Sequence, residues 1–172
     1  LGDVYKRQAG HDGANGMKVL EASAKAAVGG VTDTATAADA ITTVLNAYKL
    51  DASKAQEVSD QLFTTVRLGK TDFGQLGKSI AQAAPIAASF GIDIKEVLGA
   101  VASITKQGVP TSEAMTKIRA AILGTANQLG DAAFKGRTFQ EALQLIYDKA
   151  GGSSTKMKEL LGTDEALQAA LM

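Results

Sequence analysis

Apolar residues recur at every third or fourth position along almost the whole chain, and glycines or short polar clusters interrupt them. That period belongs to one face of an α-helix, so each segment must bury a stripe rather than a flat sheet face. Met17 to Val28 carries Leu20, Ala24, Ala27 and Val28 at this spacing, and Gly29-Gly30 is the expected left-handed end. A second helix is expected from Ala35 to Leu50, after Thr32-Asp33-Thr34, with Ile41, Val44, Leu45 and Tyr48 on one face. A third runs from Ala52 to Leu68, opened by Asp51, striped by Ala55, Val58, Leu62, Phe63 and Val66, and closed by Gly69. The fourth, Phe73 to Phe90, has Leu76, Ile80, Ala83, Ala84 and Ala87 on its face. Pro85 predicts a kink or break in it near Ala84, and Gly91 is its C-cap.

The fifth helix opens on Asp93 and Glu96 at capping-box spacing and continues through Ile94, Val97, Leu98, Val101 and Ile104 to Gly108. The turn Gly108-Val109-Pro110-Thr111 starts a sixth, with Met115, Ile118, Ile122 and Leu129, ended by Gly130. Thr138-Phe139-Gln140-Glu141 is a full capping box for a seventh, which carries Leu143, Ile146 and Tyr147. Beyond Gly151-Gly152 come two short helices, Ser154–Leu161 and Asp164–Leu171. No segment alternates as a strand does. The expectation is an all-α fold, an array of about seven to nine short-to-medium antiparallel helices joined by Gly-rich turns.

What fills the stripes limits how they pack. The chain has 31 alanines and only 5% aromatic residues, which suits closely approaching helices better than a sandwich or barrel. Its 172 residues suffice to bury roughly 70% of the unfolded surface. Lys+Arg and Asp+Glu both number 18, so the excess positive charge that phosphate neutralisation requires is missing, and specific nucleic-acid readout is not expected. Without cysteine there is no disulfide, thiol nucleophile or Cys-ligated zinc. No run approaches the roughly 18–20 apolar residues of a membrane span. The nearest, Ser79 to Ile92, is short and interrupted by Pro85, so the chain reads as soluble.

Reactive side chains do not gather. Gly69-Lys70-Thr71 and Gly77-Lys78-Ser79 resemble the end of a phosphate-binding loop, but Thr64 and Asp72 stand where that motif needs its first glycine. His11, the single histidine, lies in the turn-forming stretch Ala9 to Gly16. Asp51, Asp93, Glu96, Asp131 and Glu141 sit at helix starts or turns, where they satisfy free N–H groups. No catalytic, cofactor-binding or metal-binding residue is selected, and no enzyme activity is expected.

The chain begins with Leu1, and Asp3-Val4-Tyr5-Lys6-Arg7-Gln8 reads either as the in-frame translation of a sequencing-library adapter or as a short polar arm; the adapter reading is preferred. Residues 1–16 are expected to form a flexible arm, and residues 17–172 one helical region of a metagenomic fragment cut at both ends.

Three stretches carry a family likeness in their order and spacing. They are Glu21-Ala22-Ser23-Ala24-Lys25-Ala26-Ala27-Val28-Gly29-Gly30-Val31-Thr32-Asp33 continuing to Tyr48, Val58 to Thr71, and Phe90 through Ile104-Thr105-Lys106-Gln107-Gly108-Val109-Pro110-Thr111 to Arg119. Thr138 to Leu143 and Leu160-Leu161-Gly162 extend it. Together they resemble the core region of tail tape measure proteins of long-tailed bacteriophages and prophages, from about residue 17 onward. The resemblance implies a structural virion component in the lumen of the tail tube, made in the host cytoplasm, that sets tail length during assembly. It implies tail tube subunits and tail assembly chaperones as partners, with membrane contact only during DNA ejection, and leaves self-association open. The competing readings are a membrane-active segment around Ser79–Ile92 that assists DNA passage and a generic helical interaction module.

Overall fold

The structure, a computed structural model, describes residues 13–130 and 132–172. Residues 1–8, His11 and Asp131 therefore lie outside the described residues. Every regular element among those described is helical. In order they are α1 (Gly13–Gly29), α2 (Thr34–Ala47), α3 (Ala55–Leu68), α4 (Phe73–Ser79), α5 (Ala84–Ser89), α6 (Ile94–Lys106), α7 (Thr111–Leu129), α8 (Phe139–Lys149), α9 (Ser154–Leu161) and α10 (Asp164–Leu171). Short 3-10 turns lie at Ala52–Lys54 and Ile80–Gln82.

Most helices start where a short polar side chain replaces a missing backbone acceptor. Asp33 accepts from Thr36 N (2.7 Å), Asp72 from Gln75 N (2.8 Å), and Thr163 from Ala166 N (3.1 Å). Thr138 and Glu141 form the reciprocal capping box expected at α8: Thr138 N donates to the Glu141 carboxylate at 2.7 Å, and Glu141 N to Thr138 Oγ1 at 3.2 Å.

α7 is the hub. It packs against α4, α5, α6, α8, α9 and α10, and buries Ala114, Met115, Ile118, Ala121 and Ile122. α2 plays the same part in the first half, against α1, α3, α4 and α5, through Ala37, Ala40, Ile41, Val44 and Leu45. Contacts of α3 with α6 and of α4 with α7 join the two halves into a continuous apolar core.

Four expectations need correction. The helix expected over Phe73–Phe90 is two helices, which raises the number to ten α-helices among the described residues. The break itself comes where Pro85 led us to expect it, near Ala84: it spans Ile80–Ala83, because in a continuous helix the ring of Pro85 would collide with the carbonyl four residues earlier, at Ala81. The third helix begins with a 3-10 turn, since Asp51 accepts from Ser53 N at 2.8 Å and tightens the entry; the α-helix proper starts at Ala55. Gly29-Gly30 does not supply the left-handed step at the end of α1: Val31 does, at φ +50°, and Thr32 N reaches back to Ala27 O at 3.0 Å. Lys49, at φ +52°, ends α2 the same way, with Leu50 N on Leu45 O at 2.8 Å.

The fourth correction concerns Asp93 and Glu96. Asp93 caps α6 through Lys95 N (2.8 Å), but Glu96 does not close a box with it. Its carboxylate instead accepts from Phe139 N, the first residue of α8, across 43 positions of sequence.

Candidate functional surface

The Gly69-Lys70-Thr71 corner is where three turns meet. Lys70 N donates to Thr105 Oγ1 at 3.1 Å, and Thr105 donates to Val101 O at 2.8 Å. Thr71 Oγ1 and Thr111 Oγ1 are 2.6 Å apart, and Thr111 also donates to Gln75 Oε1 at 3.1 Å. A side chain at position 69 would meet Thr105 Oγ1 at 2.7 Å and the Ala102 Cα at 3.0 Å, so glycine is required by close approach. The backbone of Gly69 is extended, not left-handed. This glycine–lysine–threonine sequence is thus a knot between the α3–α4 turn, the end of α6 and the start of α7, not a phosphate cradle. Gly77-Lys78-Ser79 lies at the end of α4, with Ser79 buried and Gly77 against Thr36 of α2.

Residues of two other stretches that carry the family likeness, Gly30 and Leu161, also lie at tight crossings. A Cβ on Gly30 would lie 2.6 Å from Phe73 Cβ, and one on Gly124 would lie 2.4 Å from the carbonyl oxygen of Leu161. The sequence did not single out Gly124, and it gave Thr105 and Lys117 only as parts of a likeness, with no sign that both are buried. Lys117 lies along the core with its ammonium on the Glu113 carboxylate one turn earlier. The helical spacing of Lys117 and Glu113 was visible, but not the burial, which depends on what α7 packs against.

Among the described residues, grooves open on the surface. One of about 410 Å³ lies between Tyr48, Gln61 and the start of α6; one of about 460 Å³ lies between α3 and α6; one of about 620 Å³ lies between α6, α8 and α10. The acids on them already have structural partners. Glu57 pairs with Lys54 at 2.9 Å, Asp60 accepts from Gln56 at 2.8 Å, Asp93 caps α6, and Glu96 holds the start of α8. The Tyr48 hydroxyl is buried without a hydrogen-bond partner. Burial, with smaller contributions from the Asp93 and Glu96 carboxylates, pushes its pKa far up, so it stays protonated. Among the described residues no group of His, Asp and Glu is placed to hold a metal ion.

The apolar run Ser79–Ile92 is largely committed to the core: Ile80, Ala83, Ala84, Ala87 and Ile92 are buried. No helix among the described residues is long and apolar enough to cross a membrane.

Comparison with known proteins bears on this arrangement of structural contacts. The chain is 31% identical to a probable tape measure protein of Clostridium phage phiCD119, over 93% of its own length. It spans 19% of that relative. No solved structure matches. The model of the family described as phage-related minor tail protein matches residues 4–171, and the chain belongs to that family.

Proposed function

We propose that this chain is a segment of a tail tape measure protein, a helical spacer in the lumen of the tail tube that sets tail length during assembly. The observation that carries the reading is the likeness to a probable tape measure protein across 93% of the chain. The use of its motifs supports it. The residues that carry the likeness hold helices at close crossings, and the acids near the grooves serve as caps and ion-pair partners. The segment acts without catalysis and needs no cofactor. Its partners are the tube subunits and the assembly chaperones.

A photocrosslinking residue at Ser103, exposed on α6, tests the placement in the phage that encodes the chain. Adducts with the tube subunit in purified tails are expected. Tails that contain the chain but give no such adduct, at Ser103 or at exposed Lys95 on the same helix, would contradict the lumenal placement.

A further inference from the structure

α1 runs for 17 residues but buries little. Of its six buried residues, Gly16, Val19, Ala22, Ser23, Ala26 and Ala27, only Val19 is larger than serine. Its larger apolar side chains Met17 and Val28 are 54% and 84% exposed. α6 is shorter, at 13 residues, yet buries Ile94, Val97, Leu98, Val101 and Ile104. Apolar burial sets how firmly a helix is held, so α1 docks weakly for its length. Gly16 inside it, and the bond from Ser23 Oγ back to Val19 O at 2.7 Å, lower its own helical tendency further. Its main contacts are with α2, α3 and the turn at Ala52–Lys54, whereas α7 packs on other helices.

The tether from α1 to α2 is strained. Val31 takes the left-handed step at φ +50°, a conformation that a β-branched residue strongly disfavours. Its side chain is 94% exposed, so no packing offsets the strain. Glycine would adopt that step freely, but the two glycines beside it are committed to close contacts. A Cβ on Gly30 would lie 2.6 Å from Phe73 Cβ, and one on Gly29 would lie 3.2 Å from the Phe63 ring. The end of α1 thus rests on the Phe63–Phe73 pair, whose ring centroids are 4.8 Å apart, and the left-handed step falls one residue later, on Val31.

We propose that α1 is a releasable strap. It leaves α2 and α3 as one unit, Val31 relaxes to negative φ, and the Phe63–Phe73 pair is uncovered while the helices around α7 stay packed. Weak docking and a strained tether act in the same direction, since release gives up little burial and removes the strain. The inference concerns the chain by itself and does not rest on the tail role. A helix that merely frays opens residue by residue from its end, whereas a released strap opens along its whole length at once.

Residue-resolved hydrogen exchange of the whole chain in solution tests this. The amides of Ala22, Ala24, Ala26 and Ala27 should share one opening, on the order of tenfold or more as frequent as the opening that exposes Met115, Ile118 and Ile122 in α7. Val31→Gly takes the strain out of the docked state and should slow the exchange of α1 by roughly fivefold or more. Gly30→Ala sets a methyl group against Phe73 and should speed it. Exchange of α1 at the rate of α7, or exchange graded from Met17 toward Ala27, would overturn the proposal. So would an α1 rate that Val31→Gly leaves unchanged, or that Gly30→Ala leaves unchanged in a folded chain. Where Gly30→Ala disrupts the fold, Val31→Gly decides alone, because Val31 is exposed and its replacement leaves the core intact.

Discussion

Gly99 and Gly124 are both glycines in the interior of a helix, and the structure gives them opposite roles. Nothing lies within 4 Å of where a Cβ on Gly99 would stand, whereas one on Gly124 would strike the Leu161 carbonyl. Gly99→Ala should raise stability by about 0.5–1 kcal/mol through helix propensity. Gly124→Ala should lower it by about 2 kcal/mol, because α7 and α9 must separate. At this chain length that is a fall in Tm of roughly 4–8 °C by calorimetry. Tyr48→Phe should leave stability unchanged or raise it slightly, since it removes a buried hydroxyl that has no partner. A loss above about 1 kcal/mol on denaturant titration would show that the hydroxyl is satisfied in solution. None of these differences was legible in the sequence, where Gly99 and Gly124 both fall inside expected helices with nothing to tell them apart. Which glycine is needed depends on another helix passing close by, and that is a tertiary fact.

At the scale of elements the sequence was much more informative. α7 runs over Thr111–Leu129 and the last two helices over Ser154–Leu161 and Asp164–Leu171, as the stripes and caps require. The capping box of α8 is present as its residues predict. The misreadings were local competitions. Asp51 favours a tight first turn, and Glu96 finds a better donor in another helix than in its own. The last point yields a test. Glu96→Ala should lose about 1–2 kcal/mol, because it uncovers Phe139 N at a partly buried helix start. Hydrogen exchange should show the opening concentrated in the first turn of α8, and an even loss across α6 would contradict the cross-helix role.

Acid sensitivity belongs to the same scale. Asp33 and Glu141 are held below their ordinary carboxylate values, chiefly by the backbone N–H groups of Thr36 and Thr138. The unfolded chain therefore binds their protons at a higher pH than the folded chain does. Their contribution is complete above the unfolded values, near 4, and is lost as pH falls through the lower folded values. Asp33→Asn keeps a good N-cap and removes that titration, so its stability should fall less between pH 5 and 2, on the order of the single group involved. An unaltered acid limb in that variant would contradict the assignment.

At the scale of the whole molecule, the succession of packed helices was readable from the stripes alone. How the halves join was not, because the Thr71–Thr111 contact and the Lys70–Thr105 contact bridge 40 and 35 residues. The proposed role gives the chain extent rather than chemistry to contribute. A chain of this length, helical throughout, would span on the order of 260 Å at 1.5 Å per residue. The most direct measurement is tail length by electron microscopy in phages whose tape measure gene carries one, two or no copies of this segment in frame. Length is expected to step with copy number in equal increments of up to that span. Tails of one length in all three would contradict it.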